Sequence, residues 1–389
     1  MRNINYFNPT DIRFGWGRVV EIGDIVAKYG KRCLMVTVKP FPALEPVFEK
    51  IKKLCSEKDV KVFHFDGVIP NPTTDNINAG VEMAKENNVN IILGVGGGSS
   101  IDVAKGISVG VTHEGNAWEY RVMKGKPIKD KLLPIIAVST TAGTGSEVTA
   151  AAVLTKTNEH LKLALYDKLL CPIVGLVDPE LTITMPPHVT ASTGWDAFCH
   201  SFEAYTHNLF SSDYIDILAL EGIRLTIKYL PIVIKDGNNR EGREALHWAN
   251  TLGGLAITNA GVTLPHGMGM AIGGSAPHVT HGEALAIMYP AINKWTWKHK
   301  VKEYATIGRI FNPTLKKESD DTAAEKACDE MDNFLKKIGM WMSFKDKNVS
   351  EVMLGDIVED TFQLPDYLNH GIVPTVKNVM DLLKNSYER

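Results

Sequence analysis

Residues 90–105 read NIILGVGGGSSIDVAK, a stretch in which an apolar run leads into three consecutive glycines and then into a helical pattern. Asn90 to Val95 has the composition of a buried strand, and the residues after Ser99 have that of a helix start. Glycines at such a junction let a ligand approach the backbone closely, and the N–H groups at a helix N-terminus attract phosphate oxygens. The stretch therefore predicts a nucleotide-binding strand, loop and helix.

The spacing in this loop differs from two common phosphate-binding motifs. Counted from Gly94, Ser99 stands where the third glycine of the Rossmann motif belongs, and the Gly-Lys-Ser or Gly-Lys-Thr of a Walker loop does not follow. The alternative is an ordinary glycine-rich turn in which Ser99 caps the helix. Three consecutive glycines exceed what a turn requires, which favours the nucleotide loop.

A second loop of similar character follows the strand predicted at residues 134–138. Residues 139–147 read STTAGTGSE. Loops at the carboxyl ends of parallel strands meet over the crevice in which nucleotides bind, so we expect both loops at one ligand. The alternative, a capped helix start with Glu147 in its first turn, is compatible with this prediction.

Apolar runs and helical patterns alternate through the first half of the chain. Strands are predicted at residues 32–38, 60–65, 90–95, 134–138, 151–155 and 173–177, with helical spacing over 44–54 and 77–84. Strands that alternate with helices form parallel βαβ units. Helical patterns dominate after Pro186-Pro187, which predicts an α/β dinucleotide-binding domain over residues 1–185 and an all-helical metal and substrate domain over 186–389.

Composition excludes several classes of protein. At 389 residues, with 44% hydrophobic and 22% charged residues, the chain fits a globular protein of two domains and not a disordered or fibrous one. A formal charge of -3 without a run of Lys and Arg provides no track for nucleic acid. Five scattered cysteines without a Cys-x-x-Cys pair, and the polar residues 1–17, predict a cytoplasmic protein.

Residues 250–282 require a separate check because they contain no Asp, Glu, Lys or Arg and are long enough to span a bilayer. Asn250, Asn259, Pro265 and three histidines interrupt this stretch, and its glycines disfavour a lipid-facing helix. We therefore predict the interior of a soluble helical domain and no membrane partner.

Asp196 and His200 indicate a metal site in the helical half. They are four residues apart, so on a helix they lie on one face within reach of a single ion. Alone, this spacing is more typical of a hydrogen-bonded pair. Apolar neighbours such as Trp195 and Phe198 predict that the helix starts near Gly194 and is buried, and a buried carboxylate needs a strong partner.

Two further histidines, His266 and His281, each precede a glycine in the uncharged stretch. Either one alone is more typical of a loop or core residue. Three imidazoles and one carboxylate together suit a divalent first-row metal and leave a position open for substrate. Combined with a nucleotide loop, the set predicts a metal-dependent enzyme.

These motifs together resemble those of the iron-containing (group III) alcohol dehydrogenases, over nearly the whole chain. The motifs are, in chain order, Phe14-Gly15-x-Gly17, Pro70-Asn71-Pro72, Gly96 to Ser99, Thr140 to Glu147, Asp196 with His200, Pro265-His266-Gly267 and His281-Gly282. The resemblance implies a dehydroquinate-synthase-like fold, in which an N-terminal α/β nucleotide domain with a parallel sheet and an all-α C-terminal metal-binding domain enclose the active site. It also implies NAD or NADP and a divalent metal, with Fe²⁺ favoured and Zn²⁺ as the second choice. We also expect a homo-oligomer, a dimer or larger.

By the same resemblance, four residues occupy the metal-ligand positions of the catalytic centre, and these are Asp196, His200, His266 and His281. The loop that holds the pyrophosphate comprises Gly96, Gly97, Gly98 and Ser99. The residues that line the nicotinamide, ribose and adenine are Asp102, Thr140, Thr141, Thr144 and Lys162.

Three positions depart from the family pattern. Many relatives carry an acidic residue after the first strand that repels a 2′-phosphate, whereas Val38 and then Lys39 stand here, so NADP is permitted beside NAD. Met270 stands where some relatives have a second histidine. The spacing to His281 is slightly longer than in some relatives, which leaves His278 as an alternative fourth ligand.

The predicted reaction is the reversible oxidation of a small primary alcohol to an aldehyde, with hydride passing to the nicotinamide. The alternatives are a metal-dependent lyase of the dehydroquinate synthase type and a non-catalytic nucleotide-binding protein. Glu203 and His207 are predicted to form hydrogen bonds around the centre or to place charge at a helix end, and not to bind metal. Ile257 and Phe198 either line the substrate pocket or pack in the core.

Overall fold

The computed structural model describes residues 4–129 and 131–389. The chain divides into two compact units, one comprising Phe7–Met185 and the other Pro186–Arg389 with the described part of Met1–Tyr6. Each unit has a hydrophobic core of its own, as expected for a chain of this length. Within the described residues, no helix is both long enough and apolar enough to cross a membrane.

The first unit is built around a parallel sheet. Its strands and α-helices in chain order are β1 (Asp11–Phe14), α1 (Ile22–Tyr29), β2 (Arg32–Val38), α2 (Glu45–Ser56), β3 (Lys61–Val68), α3 (Thr74–Glu86), β4 (Ile91–Gly96), α4 (Gly98–Thr112), β5 (Ile135–Ser139), β6 (Ala151–Lys156), β7 (Leu161–Tyr166) and β8 (Val174–Val177). The sheet has the order β1-β8-β5-β4-β2-β3, and every neighbouring pair is parallel. The predicted α/β fold with a parallel sheet is therefore confirmed.

The central strands are apolar along most of their length. β2, β4 and β5 read RCLMVTV, IILGVG and IIAVS, and nearly all of their residues are buried. Continuous apolar runs of this kind are typical of parallel sheets, which are covered on both faces. Accordingly, the strands predicted at 32–38, 60–65, 90–95, 134–138 and 173–177 are confirmed as β2, β3, β4, β5 and β8.

Two strands, β1 and β7, are not evident in the sequence, and a third has a different partner from the one its pattern suggests. β1 has only four residues, of which Asp11 and Arg13 are charged and form a salt bridge with each other. The strand predicted at 151–155 forms as β6, but it pairs antiparallel with β7 outside the main sheet. Only residues 157–160 separate β6 from β7, which is too short for a parallel crossover.

In the described residues, the second unit consists of helices, which confirms the predicted all-α class. They are α5 (Pro187–Thr206), α6 (Asp213–Lys235), α7 (Arg240–Ala260), α8 (Leu264–Ser275), α9 (His281–Thr296), α10 (Val301–Phe311), α11 (Asp320–Lys337), α12 (Leu354–Thr361) and α13 (Val376–Asn385). A short 3-10 helix, Pro365–Asn369, lies between α12 and α13.

α5, which carries Asp196 and His200, begins earlier than predicted. It starts at Pro187 and not near Gly194. Proline suits the first helical position because its fixed φ matches the helix and because the N–H that it lacks has no partner in the helix. The two prolines that mark the change of pattern in the sequence therefore also begin the helix, and Asp196 lies in its middle.

α9, whose first residue is His281, contains Pro290 within the helix. Proline has no N–H, so it leaves the carbonyl of Ala286 without its usual helical donor. The guanidinium of Arg389 donates to this carbonyl over 3.4 Å and also donates to the carbonyl of Ile287. The last residue of the sequence thus satisfies a gap in the helix that positions His281.

Candidate metal centre and nucleotide loops

α5 presents Asp196 and His200 on one face, and both residues are buried. His200 Nε2 lies 3.8 Å from Asp196 Oδ1, which is longer than a hydrogen bond. The opposite face of α5 packs through Trp195 and Phe198, whose rings stack at 4.9 Å. Phe198 is fully buried, so the structure places it in the core and not on a pocket wall. Ile257 is partly buried and packs against a small core cluster.

Two other helices bring His266 and His281 to the same carboxylate oxygen. His266 lies in the first turn of α8, and its Nε2 is 3.5 Å from Asp196 Oδ1; His281 begins α9, and its Nε2 is 3.7 Å from that oxygen. Ligand atoms of Asp196, His266 and His281 all lie within 4.8 Å of one another. His200 falls outside this tight trio, although its ring centroid is 4.5 Å from that of His266.

The distances around Asp196 Oδ1 suit a shared cation. Bonds of about 2.0–2.2 Å in a tetrahedral site place neighbouring donor atoms roughly 3.3–3.6 Å apart. The three imidazole nitrogens lie 3.5, 3.7 and 3.8 Å from Asp196 Oδ1, near this range. Among the described residues, the buried atoms Asp196 Oδ1 and His266 Nε2 have no hydrogen-bond partner. A divalent cation bound here would satisfy both.

The buried carboxylates of the centre, Asp196 and Glu203, also favour a positive charge beside them. Burial by itself would raise the pKa of Asp196, yet His200, His266 and His281 lower that pKa well below its usual range. Burial by itself would lower the pKa of His266, yet the carboxylates of Glu203 and Asp196 raise it to about 10. Without a cation, a proton on His266 therefore offsets only part of the negative charge of the two buried carboxylates.

Glu203 holds His266 from the side opposite to Asp196. Its Oε1 accepts hydrogen bonds from His266 Nδ1 at 2.6 Å and from Tyr289 at 2.9 Å, and its Oε2 accepts from the amide and hydroxyl of Thr263 at 2.7 and 3.1 Å. A ring that donates from Nδ1 leaves the Nε2 lone pair for a metal. The predicted hydrogen-bonding role of Glu203 is confirmed, whereas the sequence gives no sign of the contributions from Thr263 and Tyr289.

His207 and His278 lie at other places in the helical unit. His207 follows the last residue of α5, where its Nδ1 accepts from the amides of Leu209 and Phe210 at 3.1 and 3.2 Å. Burial lowers the pKa of His207 to about 4, so the ring lies at the helix end as a neutral acceptor and does not place charge there, which is one of its two predicted roles. His278 Nε2 donates to the carbonyl of Lys347 over 2.8 Å on the surface. The structure therefore puts His281, and not His278, beside Asp196.

In the α/β unit, the three glycines lie where β4 passes into α4. Gly96 has φ +150°, a conformation that favours glycine, and a Cβ there would lie 2.4 Å from Ser100 Oγ. A Cβ on Gly97 would meet Thr141 Oγ1 at 3.0 Å, and one on Gly98 would meet Thr144 Cγ2 at 2.6 Å. The glycines therefore let the second loop pack against the first.

The two loops meet as predicted. Gly96 at the end of β4 pairs with Ser139 at the end of β5, and the amide of Thr140 donates to the carbonyl of Gly96 over 2.9 Å. Gly97, and not Ser99, is the N-cap of α4, so the alternative in which Ser99 caps this helix is wrong. Ser99 lies in the first turn of α4. The N-cap residue Gly97 has no side chain and therefore makes no side-chain capping bond.

Asp102, in α4, connects the helix after the first loop to the second loop and to the antiparallel hairpin formed by β6 and β7. Its Oδ1 accepts from Ser146 Oγ at 2.7 Å, and its Oδ2 accepts from the amide of Val153 at 3.0 Å. Lys105, which is fully buried, donates to Ser146 Oγ at 3.0 Å and to the carbonyl of Ala151 at 2.7 Å. Lys105 is a residue that sequence reasoning leaves without a role, although it and Asp102 are the two charged residues of α4.

Lys162 and Val38 occupy the remaining predicted positions. Lys162 lies on β7 and donates to Asn71 Oδ1 over 2.8 Å. Val38 ends β2, directly after Thr37, whose hydroxyl lies 2.7 Å from His64 Nε2. The end of β2 thus presents Thr37, Val38 and Lys39, none of which is acidic.

Comparisons with known proteins agree with this arrangement. Residues 9–179 match the family described as iron-containing alcohol dehydrogenase, and residues 190–387 match the C-terminal region of the Fe-containing alcohol dehydrogenase family. The chain is 33% identical to a choline dehydrogenase of Bacillus subtilis (strain 168), over 97% of this chain and 92% of that enzyme. It is 28% identical to an NAD-dependent methanol dehydrogenase of Bacillus methanolicus, over 98% and 99% of the two chains.

A solved structure gives the same result. The archaeal halo-thermophilic alcohol dehydrogenase ADH/D1 from a Red Sea brine pool superimposes with a TM-score of 0.94 at 29% identity, over 99% of this chain and 100% of that one. These relatives are dehydrogenases and give no support to the lyase or non-catalytic alternatives. The chain therefore belongs to the iron-containing alcohol dehydrogenase family and is an oxidoreductase of the alcohol dehydrogenase type.

Proposed function

We propose that the protein interconverts a small primary alcohol and its aldehyde, with Asp196, His200, His266 and His281 as the ligands of a divalent cation. The observation that carries this proposal is that three imidazole Nε2 atoms lie 3.5 to 3.8 Å from one buried carboxylate oxygen. Such nitrogen and oxygen donors suit several first-row metals. Fe²⁺ is our first choice because of the family, and Zn²⁺ is the second.

A cation bound by these residues would act as a Lewis acid on the alcohol oxygen, so that the proton is lost near neutral pH. The chain's own residues supply orientation. Glu203 keeps a proton on Nδ1 of His266 and thereby directs Nε2 towards Asp196. The side chain of His281 is 25% exposed, whereas the side chains of Asp196, His200 and His266 are almost fully buried. Substrate would therefore approach from the His281 side of the centre.

The nucleotide would bind at the two loops of the α/β unit. Gly96, Gly97, Gly98 and Ser99 would hold the pyrophosphate, because they connect β4 to the first turn of α4, whose N-cap Gly97 makes no side-chain capping bond. Of the five residues expected to line the nicotinamide, ribose and adenine, we propose this role for Thr140, Thr141, Thr144 and Lys162. Both oxygens of Asp102 are already bonded to Ser146 and Val153, so we propose that Asp102 shapes the loop from behind.

We propose NAD as the nucleotide and NADP as an alternative that the site tolerates. The family and the NAD-dependent methanol dehydrogenase among its relatives favour NAD. At the end of β2, however, Val38 and Lys39 provide no negative charge to repel a 2′-phosphate.

The direct test is anaerobic purification with metal analysis, followed by oxidation of NADH and NADPH against a panel of aldehydes. Asp196→Ala should abolish metal retention and turnover, because it removes the oxygen that all three imidazoles share. Asp381→Ala, at an exposed position of α13, is the matched control and should change neither. Unchanged turnover in Asp196→Ala would refute the proposed centre.

Two further expectations concern the protein in its cell. We propose a cytoplasmic location, which is supported by five cysteines that are all free and buried in the described chain. We also propose a homo-oligomer. Its support is three exposed apolar side chains near the start of α6, Leu209, Phe210 and Ile217, which are 58, 60 and 66% exposed. Light scattering would test the assembly.

A further inference from the structure

Glu203 is the start of a buried hydrogen-bond chain that leads away from the candidate metal centre. All four of its hydrogen bonds come from other helices or from the residue before α8. One donor, the hydroxyl of Thr263, contacts a further group, because His370 Nδ1 lies 3.2 Å from Thr263 Oγ1. His370 Nε2 in turn lies 2.8 Å from Thr296 Oγ1. The chain therefore runs from His266 through Glu203, Thr263 and His370 to Thr296.

The donors and acceptors along this chain follow from the carboxylate end. Glu203 can only accept, so the hydroxyl proton of Thr263 is committed to it. Thr263 Oγ1 must then accept from His370 Nδ1–H. Burial lowers the pKa of His370 to about 4, so the ring is neutral at pH 7 and its Nε2 accepts from Thr296. Every proton in the chain thus points towards Glu203.

A second observation shows that the residues before α8 are held from the same side. Asn369, which precedes His370, donates from its side-chain amide to the carbonyl of Val262 over 3.0 Å. Two consecutive residues at the end of the 3-10 helix Pro365–Asn369 therefore hold two consecutive residues at the entrance to α8. His266 lies in the first turn of that helix.

The position of Thr263 in the helix also indicates that its hydroxyl belongs to the hydrogen-bond chain. Thr263 is the N-cap of α8, a position where threonine commonly accepts from a backbone amide of the first turn. Within the described part of the chain, its side chain makes no such capping bond. The hydroxyl instead links Glu203 to His370. The usual capping interaction is thus replaced by a bond directed at the centre.

We propose that His370 is a positioning residue for the metal centre, acting through Thr263 and Glu203 to fix the imidazole of His266. The inference rests on the proposed function, because His266 matters in this way only if it is a ligand. Polar groups that orient metal-binding histidines change metal affinity by about 10- to 100-fold when they are removed. His370 acts two residues further out than Glu203, so we expect the lower end of this range, about tenfold.

The test compares two amide substitutions at one position. His370→Asn puts an N–H donor where Nδ1 was and keeps the bond to Thr263, whereas His370→Gln puts its amide where Nε2 was and loses that bond. The readout is the affinity for Co²⁺, measured by competition with a chelator. We expect His370→Gln to weaken Co²⁺ binding about tenfold and His370→Asn to remain within about twofold. Loss of ring packing alone, against Trp295, would affect both variants equally.

A double-mutant cycle checks the path. Thr263→Val removes the hydroxyl that joins Glu203 to His370, and without it His370→Gln should have no further effect on Co²⁺ affinity. Equal affinities for the Asn and Gln variants, or additive effects with Thr263→Val, would overturn the inference. If the His370 variants do not fold, Thr263→Val alone decides, since an unchanged Co²⁺ affinity in that variant also overturns it.

Asp196→Ala separates this inference from the proposed function. Co²⁺ binding that does not depend on Asp196 would refute the proposed centre itself. Co²⁺ binding that depends on Asp196 but is indifferent to Thr263 and His370 would refute only the role of the hydrogen-bond chain.

Discussion

The loops after β4 and β5 are each made of consecutive residues, whereas the candidate metal centre takes Asp196, His266 and His281 from three separate helices. In the loops, the geometry depends on backbone conformation and on the absence of side chains, as at Gly96 and Gly98. In the centre, side-chain atoms carry it, and their spacing depends on helix packing. The loops form a local site, which added side-chain volume should disturb. The metal centre is an assembled site, which should be disturbed by the loss of groups that hold its helices and ligands in place.

The largest expected effect distinguishes two neighbouring histidines. His281→Ala should weaken metal binding by 100-fold or more, roughly the loss expected for a direct ligand, and should leave nucleotide affinity unchanged. His278→Ala is the matched control, because His278 bonds only to the surface carbonyl of Lys347 among the described residues. Metal analysis and nucleotide titration would measure both. Equal metal loss in the two variants would contradict the assignment of His281.

Metal uptake should depend steeply on pH. Although burial lowers the pKa of His266, Glu203 and Asp196 raise it to about 10, so a cation must displace a proton from this ring. Each unit between about pH 6 and 8 should raise the affinity about tenfold. Chelator competition would measure this slope. A slope near zero would mean that His266 is not a ligand.

The stability of the cation-free protein should change in the opposite direction. The pKa of His266 is raised on folding, from an ordinary 6.5 to about 10. The stabilisation from this proton is therefore complete below pH 6.5 and is lost as the pH rises towards 10. Thermal unfolding of the cation-free protein would show this fall, and Glu203→Gln should flatten it.

Glu203→Gln should also weaken metal binding, by about 10- to 100-fold, because the amide removes the charge that keeps the proton on His266 Nδ1. Glu221→Gln, at a partly exposed position of α6, is a suitable control. If the metal centre depends on Glu203, the Glu203→Gln and Glu221→Gln variants should differ in metal affinity and have the same nucleotide affinity. Equal metal affinities in the two variants would show that Glu203 does not support metal binding.

Gly98→Ala tests the local site. The added methyl group would lie 2.6 Å from Thr144 Cγ2, and overpacking of this kind costs about 1–3 kcal/mol. We expect nucleotide affinity to fall about tenfold while metal content is unchanged. Gly355→Ala is the control, because a Cβ on Gly355 meets no described atom within 4 Å. Loss of metal in Gly98→Ala would show that the two sites are not independent.

The smallest effect is expected at Arg389. Arg389→Met removes the donor to the carbonyl that Pro290 leaves open in α9, which should cost about 1 kcal/mol of unfolding free energy. Lys345→Met removes only an exposed ion pair and should change little. Denaturant unfolding would compare them. No difference between the two would mean that α9 tolerates the open carbonyl.

The sequence predicts the fold well where the signal is a continuous pattern. β2, β4 and β5 are recognisable because each is an unbroken apolar run, whereas β1 is only four residues long and half charged. The pairing of β6 with β7 follows from the short connection between them and not from the composition of either strand. Helix starts are less certain, as the early start of α5 at Pro187 shows.

The candidate site likewise contains residues that the sequence predicts and residues that it does not. The four proposed ligands are found from spacing and from the family resemblance, and the structure brings them around Asp196 Oδ1. Thr263, Tyr289 and His370 could not be found in this way, because their roles depend on hydrogen bonds between residues far apart in the chain. Lys105 is similar, since its partners lie on the second loop and the hairpin.

The packing of Thr141 and Thr144 against Gly97 and Gly98 limits how the two loops can vary in evolution. A larger residue in the first loop fits only if the facing threonine becomes smaller, so changes at these positions should occur in pairs. Gly98→Ala together with Thr144→Ser, for example, should recover part of what Gly98→Ala loses. Loops that are separated in the sequence would then be inherited as one unit.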